Sequence, residues 1–117
     1  MHEAPRACAP FQRALAILGK RWTGLIVHAL LERPCRFVEI ALAVQGLSDR
    51  MLSERLRELE AEGIVARQVV LGPSARVVYV LTPKGRDLRC VLGEIHRWAE
   101  RWPAPRGALE RVRDERP

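Results

Sequence analysis

"SDRMLSERLRELEAEGIV", residues 48–65, sets arginines and glutamates around a thin line of leucines. Leu52, Leu56 and Leu59 are spaced i, i+4, i+7, so a helix gathers them on one narrow face. Ser48 stands where a side-chain oxygen can accept a free amide of the first turn, and Gly63 suits the left-handed residue that ends a helix. The spacing predicts a helix over residues 49–62. With the leucines inward, Arg50, Glu54 and Arg57 lie roughly opposite, flanked by Met51 and Ser53. Such charges can simply keep a helix solvated, through ion pairs worth only about 0.3 kcal/mol each. Alternatively, one end of the helix is built to touch something.

The neighbouring segments bear on that choice. Upstream, Phe11, Ala14, Leu15 and Leu18 recur at helical spacing over residues 10–18, and Gly19 stops the run. A second helix over residues 22–31 carries Trp22, Leu25, Ile26, Ala29 and Leu30 on one stripe and ends before Pro34. A third, short helix over residues 36–43 turns Phe37, Ile40 and Ala41 inward and leads into the loop "VQGL". Downstream, "IVARQVVL" and "RVVYVLT" are rich in β-branched residues and flank the turn "GPSA", which reads as a β-hairpin. Thr82 then caps a last helix with Pro83 in its first turn. Leu88, Val91, Leu92, Ile95, Trp98, Ala99 and Trp102 form a stripe along that helix too wide for one small domain to cover.

At 117 residues with 48% hydrophobic residues, the chain can build one core but not two. A domain over residues 8–102 is expected, followed by a charged tail over residues 103–117 that is mobile or forms a weak final helical turn. The formal charge is +6, and Lys20 and Lys84 are the only lysines among 20 basic residues. A GC-rich genome accounts for part of the arginine excess but not for the net charge. Arginine's flat five-donor fork suits phosphates and guanine edges, so the natural partner is a polyanion. No apolar run has the length of a membrane span and "MHEAPRACAP" lacks the apolar core of a signal peptide, so a cytoplasmic protein without membrane contact is expected.

Cys8, Cys35 and Cys90 show no CxxC spacing, which argues for reduced thiols and against a structural zinc site. His2, His28 and His96 make no ligand pattern; His28 is expected in a core or interface. No metal or cofactor is expected. Nor is an enzyme, because the chain lacks a nucleophile elbow, a phosphate-cradling glycine loop and paired carboxylates in a plausible cleft.

Four helices, a hairpin and a fifth helix in one basic domain is the order of a winged helix-turn-helix, mainly α with a small β-hairpin wing. The third and fourth helices then form the turn motif, and the N-terminal half of the fourth enters the major groove of double-stranded DNA. Only its first two turns reach base edges, which singles out Arg50, Met51, Ser53 and Glu54. Arginine can fork onto guanine, glutamate can accept from cytosine, and methionine can touch a thymine methyl. Ser48, Arg55 and Arg57 are placed for phosphates, which fix register without reading sequence. In the wing, Arg76 is placed for a minor groove or a phosphate. Arg67 is expected as a structural ion-pair partner, and Glu58, Glu60 and Glu62 as solvated charge.

The strings "CAPFQRALAILGKRWT", "RFVEI", "LSDRMLSERLRELEAEGIVAR" and "VVYVLTPKGRDL" resemble the HxlR-type transcriptional regulators, winged helix proteins with an architecture like that of MarR regulators. The resemblance covers residues 8–102. Its most specific pieces are the Trp22-Thr23 pair, the "LSERLRELE" block and the group Tyr79, Leu81, Thr82 and Gly85. It implies a homodimer, joined through the first and last helices, that binds an inverted-repeat operator and changes transcription. Phe11, Leu15, Leu92, Ile95, Trp98 and Trp102 are the interface residues this implies, consistent with the uncovered stripe.

The resemblance also implies an oxidant or electrophile sensor at Cys8, which lies near Arg6 and Arg13 in sequence and at a helix N-terminus, both of which favour a thiolate. Its oxidation would couple it to Cys90 or Cys35 of the other subunit and shift the spacing of the two reading helices. Cys90 taken alone reads as a small hydrophobe beside the apolar stripe. The chain departs from the family pattern at Gly19-Lys20-Arg21-Trp22, where "GGKW" is usual, and in the wing "GPSARVVY", which lacks the double proline and acidic residue often found there. A different class of function, a winged helix module that binds protein rather than DNA, is the alternative.

Overall fold

The computed structural model describes residues 8–107. Within them run α1 (Ala9–Leu18), α2 (Thr23–Glu32), α3 (Phe37–Ala43), α4 (Asp49–Ala61), β1 (Val65–Val70), β2 (Arg76–Leu81), α5 (Pro83–Arg86) and α6 (Leu88–Arg101). The winged helix order is therefore as expected. The tail beyond residue 107, and with it most of the predicted final turn, lies outside the described residues.

Each element follows from local chemistry. The Ser48 hydroxyl accepts from the Met51 amide at 3.1 Å and starts α4, while Gly63 ends it at φ 74°. Asp49, in the first turn, complements the positive end of the helix. At α3 the Arg36 amide donates to Glu39 Oε1 at 2.8 Å. That bond, aided by the Arg33 and Arg36 guanidiniums, holds the Glu39 carboxyl below its usual pKa. β1 and β2 pair antiparallel from Val65↔Leu81 to Val70↔Arg76. A further single bridge, with the Tyr79 amide donating to the Cys35 carbonyl at 2.7 Å, ties the α2–α3 connection to the hairpin. One residue of pairing leaves no periodicity, so it was not legible in the sequence.

The core is made by α2, α3, α4 and the base of the hairpin. Ile26, Val27, Ile40, Leu52, Leu56 and Leu59 are essentially inaccessible, with Ile64, Val65 and Leu81 packed beside them. α1 and α6 contribute no buried residue.

Two junctions differ from the expected pattern. Trp22, expected as the first residue of α2, stands before it in the left-handed region at φ 80°. That conformation costs a bulky residue about 1–3 kcal/mol. It is offset where the half-buried indole packs on the core and the Arg21 guanidinium lies 4.7 Å from its ring centroid. The single last helix is divided at Asp87, whose φ −65° and ψ −16° tighten the turn. Its amide reaches both Pro83 and Gly85 carbonyls.

The Thr82 hydroxyl accepts from the Gly85 amide at 3.1 Å and donates to the Gly63 carbonyl at 2.6 Å, fastening α5 to the end of α4. Gly85 is buried there, and a Cβ on it would lie 2.3 Å from the Ile64 carbonyl oxygen, which accepts from the Thr82 amide at 3.0 Å and is held in place by it. Gly63, by contrast, has open space around it and needs only its positive φ. Gly85→Ala should therefore lower stability in urea unfolding by about 3 kcal/mol, against about 1–2 kcal/mol for Gly63→Ala. Equal losses would show that the close approach at Gly85 relaxes without cost.

Candidate nucleic-acid interface

The helical period divides α4 into unlike halves. Leu52, Leu56 and Leu59 point into the core, which leaves Arg50, Ser53, Glu54 and Arg57 exposed on the outer face. Among the described residues, Arg50 and Arg57 hold no acidic partner; nor does Arg76 on the wing. Glu54 has a 3.7 Å contact with Arg55 and otherwise faces solvent. Met51 is half-buried against the core, so less of its side chain is available to a base than expected.

The other half of α4 is tied to the fold. Glu58, Glu60 and Glu62, expected as solvated charge, each find a cation on another element. Lys20 reaches Glu58 at 3.1 Å, Arg67 reaches Glu60 at 3.1 Å and Arg13 reaches Glu62 at 2.8 Å. Their partners come from three separate places in the chain, which helical spacing within α4 could not reveal. Arg67 is the structural ion-pair partner it was expected to be.

Arg55 departs most from its expected role as a phosphate contact. Its side chain is only 13% exposed, its Nε donates to the Arg21 carbonyl at 2.9 Å, and its Nη1 donates to Glu58 at 3.2 Å. The acceptor carbonyl belongs to a residue 34 positions away, across a turn whose backbone direction depends on the left-handed Trp22.

In the wing, Arg76 opens β2 opposite Val70 and is exposed. Around it the hairpin tip is apolar: Val69 and Val77 face one another across the strands and Leu71 is 83% exposed. The β pattern of the sequence showed these residues but not that the hairpin extends beyond the core that would cover them.

Elsewhere, α1, α6 and the residue that ends α6 expose Phe11, Leu15, Ile95, Trp98 and Trp102, each more than half accessible. Leu92 does not belong with them. It is half-buried and packs on α2 beside Gly24, where its Cδ2 lies 3.9 Å from the position of a Cβ, so it anchors α6 within the chain.

The three thiols differ. Cys8 is exposed and precedes α1, its carbonyl accepting from the Gln12 amide at 2.9 Å. Of the two arginines expected near it, Arg13 is turned to Glu62, and Arg6 lies outside the described residues. Cys35 is buried, donates to the Arg33 carbonyl, and has its pKa raised by desolvation. Cys90, expected to pack as a small hydrophobe, is exposed on α6. His28 is exposed rather than in a core, His96 lies 3.1 Å from Glu100, and His2 lies outside the described residues. Among the described residues no group of three or more His, Cys, Asp or Glu side chains converges as metal ligands would, and no single helix is long and apolar enough to cross a membrane.

Residues 17–106 match the HxlR-like helix-turn-helix family. The chain is 50% identical over 98 residues to the HTH-type transcriptional regulator YvaP of Bacillus subtilis (strain 168), covering 84% of this chain and 91% of the relative. It is 44% identical over 98 residues to YodB of the same organism, a further HTH-type transcriptional regulator, covering 84% and 88%. The structure of reduced YodB superposes with a TM-score of 0.77 over 84% of this chain and 96% of that one. YodB has also been solved in diamide-treated and quinone-bound forms. The redox regulator HypR in its oxidised form superposes with a TM-score of 0.74 at 32% identity, over 83% of this chain and all of that one (100%). A basic winged helix with this exposed outer face on α4, matched along most of its length, belongs to the HxlR-like helix-turn-helix family and is a DNA-binding transcriptional regulator.

Proposed function

We propose that the protein is a homodimeric regulator that reads an inverted-repeat operator in the cytoplasm and responds to oxidants or electrophiles through Cys8, acting by binding rather than as an enzyme. The observation that carries the DNA reading is the pairing pattern of its arginines. Those facing the fold from α1, β1 and the α2–α3 connection are neutralised by glutamates, whereas Arg50, Arg57 and Arg76 hold no acidic partner among the described residues. Arg50, Met51, Ser53 and Glu54 meet base edges, Ser48 and Arg57 meet phosphates, and Arg76 clamps the flanking backbone or minor groove. The exposed stripe of Phe11, Leu15, Ile95, Trp98 and Trp102 is the surface a second copy would bury, and large aromatics suit such a surface.

YodB captured with diamide and with a quinone supports the sensing part of the reading, as does the oxidised form of HypR. Cys8 and Cys90 are both exposed and therefore available for a bond between subunits, in which two thiols lose two electrons and two protons to the oxidant. Burial makes Cys35 a poor partner.

Arg50→Ala should cost about 1–3 kcal/mol on a duplex selected from a random pool by the wild-type protein and relax its sequence preference. Arg76→Ala should weaken selected and random duplexes alike and reduce the slope of log K against log salt by about 0.9. The reverse outcome would exchange the two roles. Trp98→Glu should give a monomer in sedimentation at concentrations where the wild type is dimeric; an unchanged mass would remove the interface from α6. After diamide, a non-reducing gel should show a linked dimer that Cys8→Ser abolishes. A linked dimer that survives Cys8→Ser, or an unmodified Cys8 with unchanged DNA affinity, would remove Cys8 as the sensor.

A further inference from the structure

We propose that Arg55 is a positioning residue. It sets the angle of the reading helix by clasping the turn between α1 and α2, and it makes no contact with DNA. The proposal rests on the reading of α4 as the DNA-contacting helix.

Three side chains and one carbonyl form the clasp. Arg55 Nε donates to the Arg21 carbonyl at 2.9 Å, and its Nη1 donates to Glu58 Oε1 at 3.2 Å. Glu58 Oε2 in turn holds Lys20 Nζ at 3.1 Å. The turn residues Lys20 and Arg21 are thereby linked to two positions of α4, three residues apart on one helix face. The acceptor end is itself fixed. Trp22 holds φ 80°, its indole packs on the core, and the Arg21 guanidinium lies over its ring, so the Arg21 carbonyl has one direction in which to point. The donor end is fixed by burial, since the Arg55 side chain is 13% exposed against 63% for Arg67, the β1 arginine that pairs with Glu60 of α4.

Arg55 also has leverage. Arg50 precedes it by five residues, about 7.5 Å along the axis at 1.5 Å per residue. A small rotation about the clasp moves the reading residues by a distance comparable with the narrow range over which a hydrogen bond to a base survives. Phosphate contacts tolerate such a shift better, because they rest largely on charge. Loss of the clasp should therefore damage selectivity more than general affinity, which is the opposite of what losing a phosphate contact does.

The experiment titrates wild type, Arg55→Gln, Arg55→Lys and Glu58→Gln against a wild-type-selected duplex and a random duplex over a salt series. Arg55→Gln should weaken the selected duplex at least ~10-fold and the random duplex no more than ~3-fold, with the salt slope unchanged. Arg55→Lys should behave like Arg55→Gln, because an ammonium cannot span the carbonyl and the carboxylate as the planar fork does. Glu58→Gln should also lose selectivity, although it leaves the arginine charge in place. The proposal is overturned if Arg55→Gln lowers the salt slope by about 0.9 and weakens both duplexes equally, if lysine restores binding, or if Glu58→Gln tightens binding by releasing the arginine to a phosphate. Amide exchange at Thr23 and Ile26 in the DNA-free protein reads the clasp independently. It should be faster in Arg55→Gln, and unchanged rates would sink the clasp. A wild type that selects no duplex would remove the reading of α4 and leave this exchange measurement to decide the clasp.

Discussion

Everything on the side proposed to face DNA depends on three leucines. Leu52, Leu56 and Leu59 are at most 1% exposed and seat α4 against Ile26, Val27 and Ile40. Each contributes about 2 kcal/mol by leaving water. Because the helix period is fixed, burying that face also decides which side chains face outward. Arg50 and Arg57 cannot be brought inward, and Glu58 and Glu62 cannot avoid the neighbouring elements. One apolar constraint thereby sorts the charges of the helix into those bound within the chain and those left for a partner.

The sorting has an electrostatic consequence. A glutamate beside a reading arginine would compete with phosphate, and on this helix the carboxylates of the C-terminal half are occupied by Arg13, Lys20 and Arg67. Surface pairs of this kind add little stability individually. Their effect is to place that negative charge where the fold already supplies cations, leaving Arg50 and Arg57 without an acidic partner among the described residues. A net charge of +6 is thus less informative than where its unpaired part lies.

Much of this was legible in the sequence because it rests on periodicity and caps. The leucine spacing, Ser48, Gly63, the turn "GPSA" and the Thr82-Pro83 start each act over a few residues, and each was found where expected. What escaped were contacts between residues far apart. Arg55 looked like a phosphate contact from its place on α4, yet its partner is a carbonyl in the α1–α2 turn. Leu92 looked like part of the interface stripe because helical spacing does not say which side of a wide stripe the chain itself covers. The Trp22-Thr23 pair stood out as a motif, but its physical content, an indole fixed in the left-handed region, is a property of the packed turn.

The cysteines show the same division between composition and environment. Three free thiols are equivalent on the page of a sequence, and the fold separates them. Cys35 is held in the core by the bridge to Tyr79 and by a bond from its thiol to Arg33, where burial disfavours the thiolate that reacts. Cys8 precedes a helix with no buried residue, and Arg13, one turn into it, reaches across to Glu62 at the end of α4. A covalent event at Cys8 therefore acts on an element held to the core by few contacts, and one of those contacts is to the end of α4, the helix proposed to face DNA. Under the proposed sensing role, the weakness of α1's attachment is what lets a single thiol alter the reading helix, and a more deeply buried first helix would insulate one from the other.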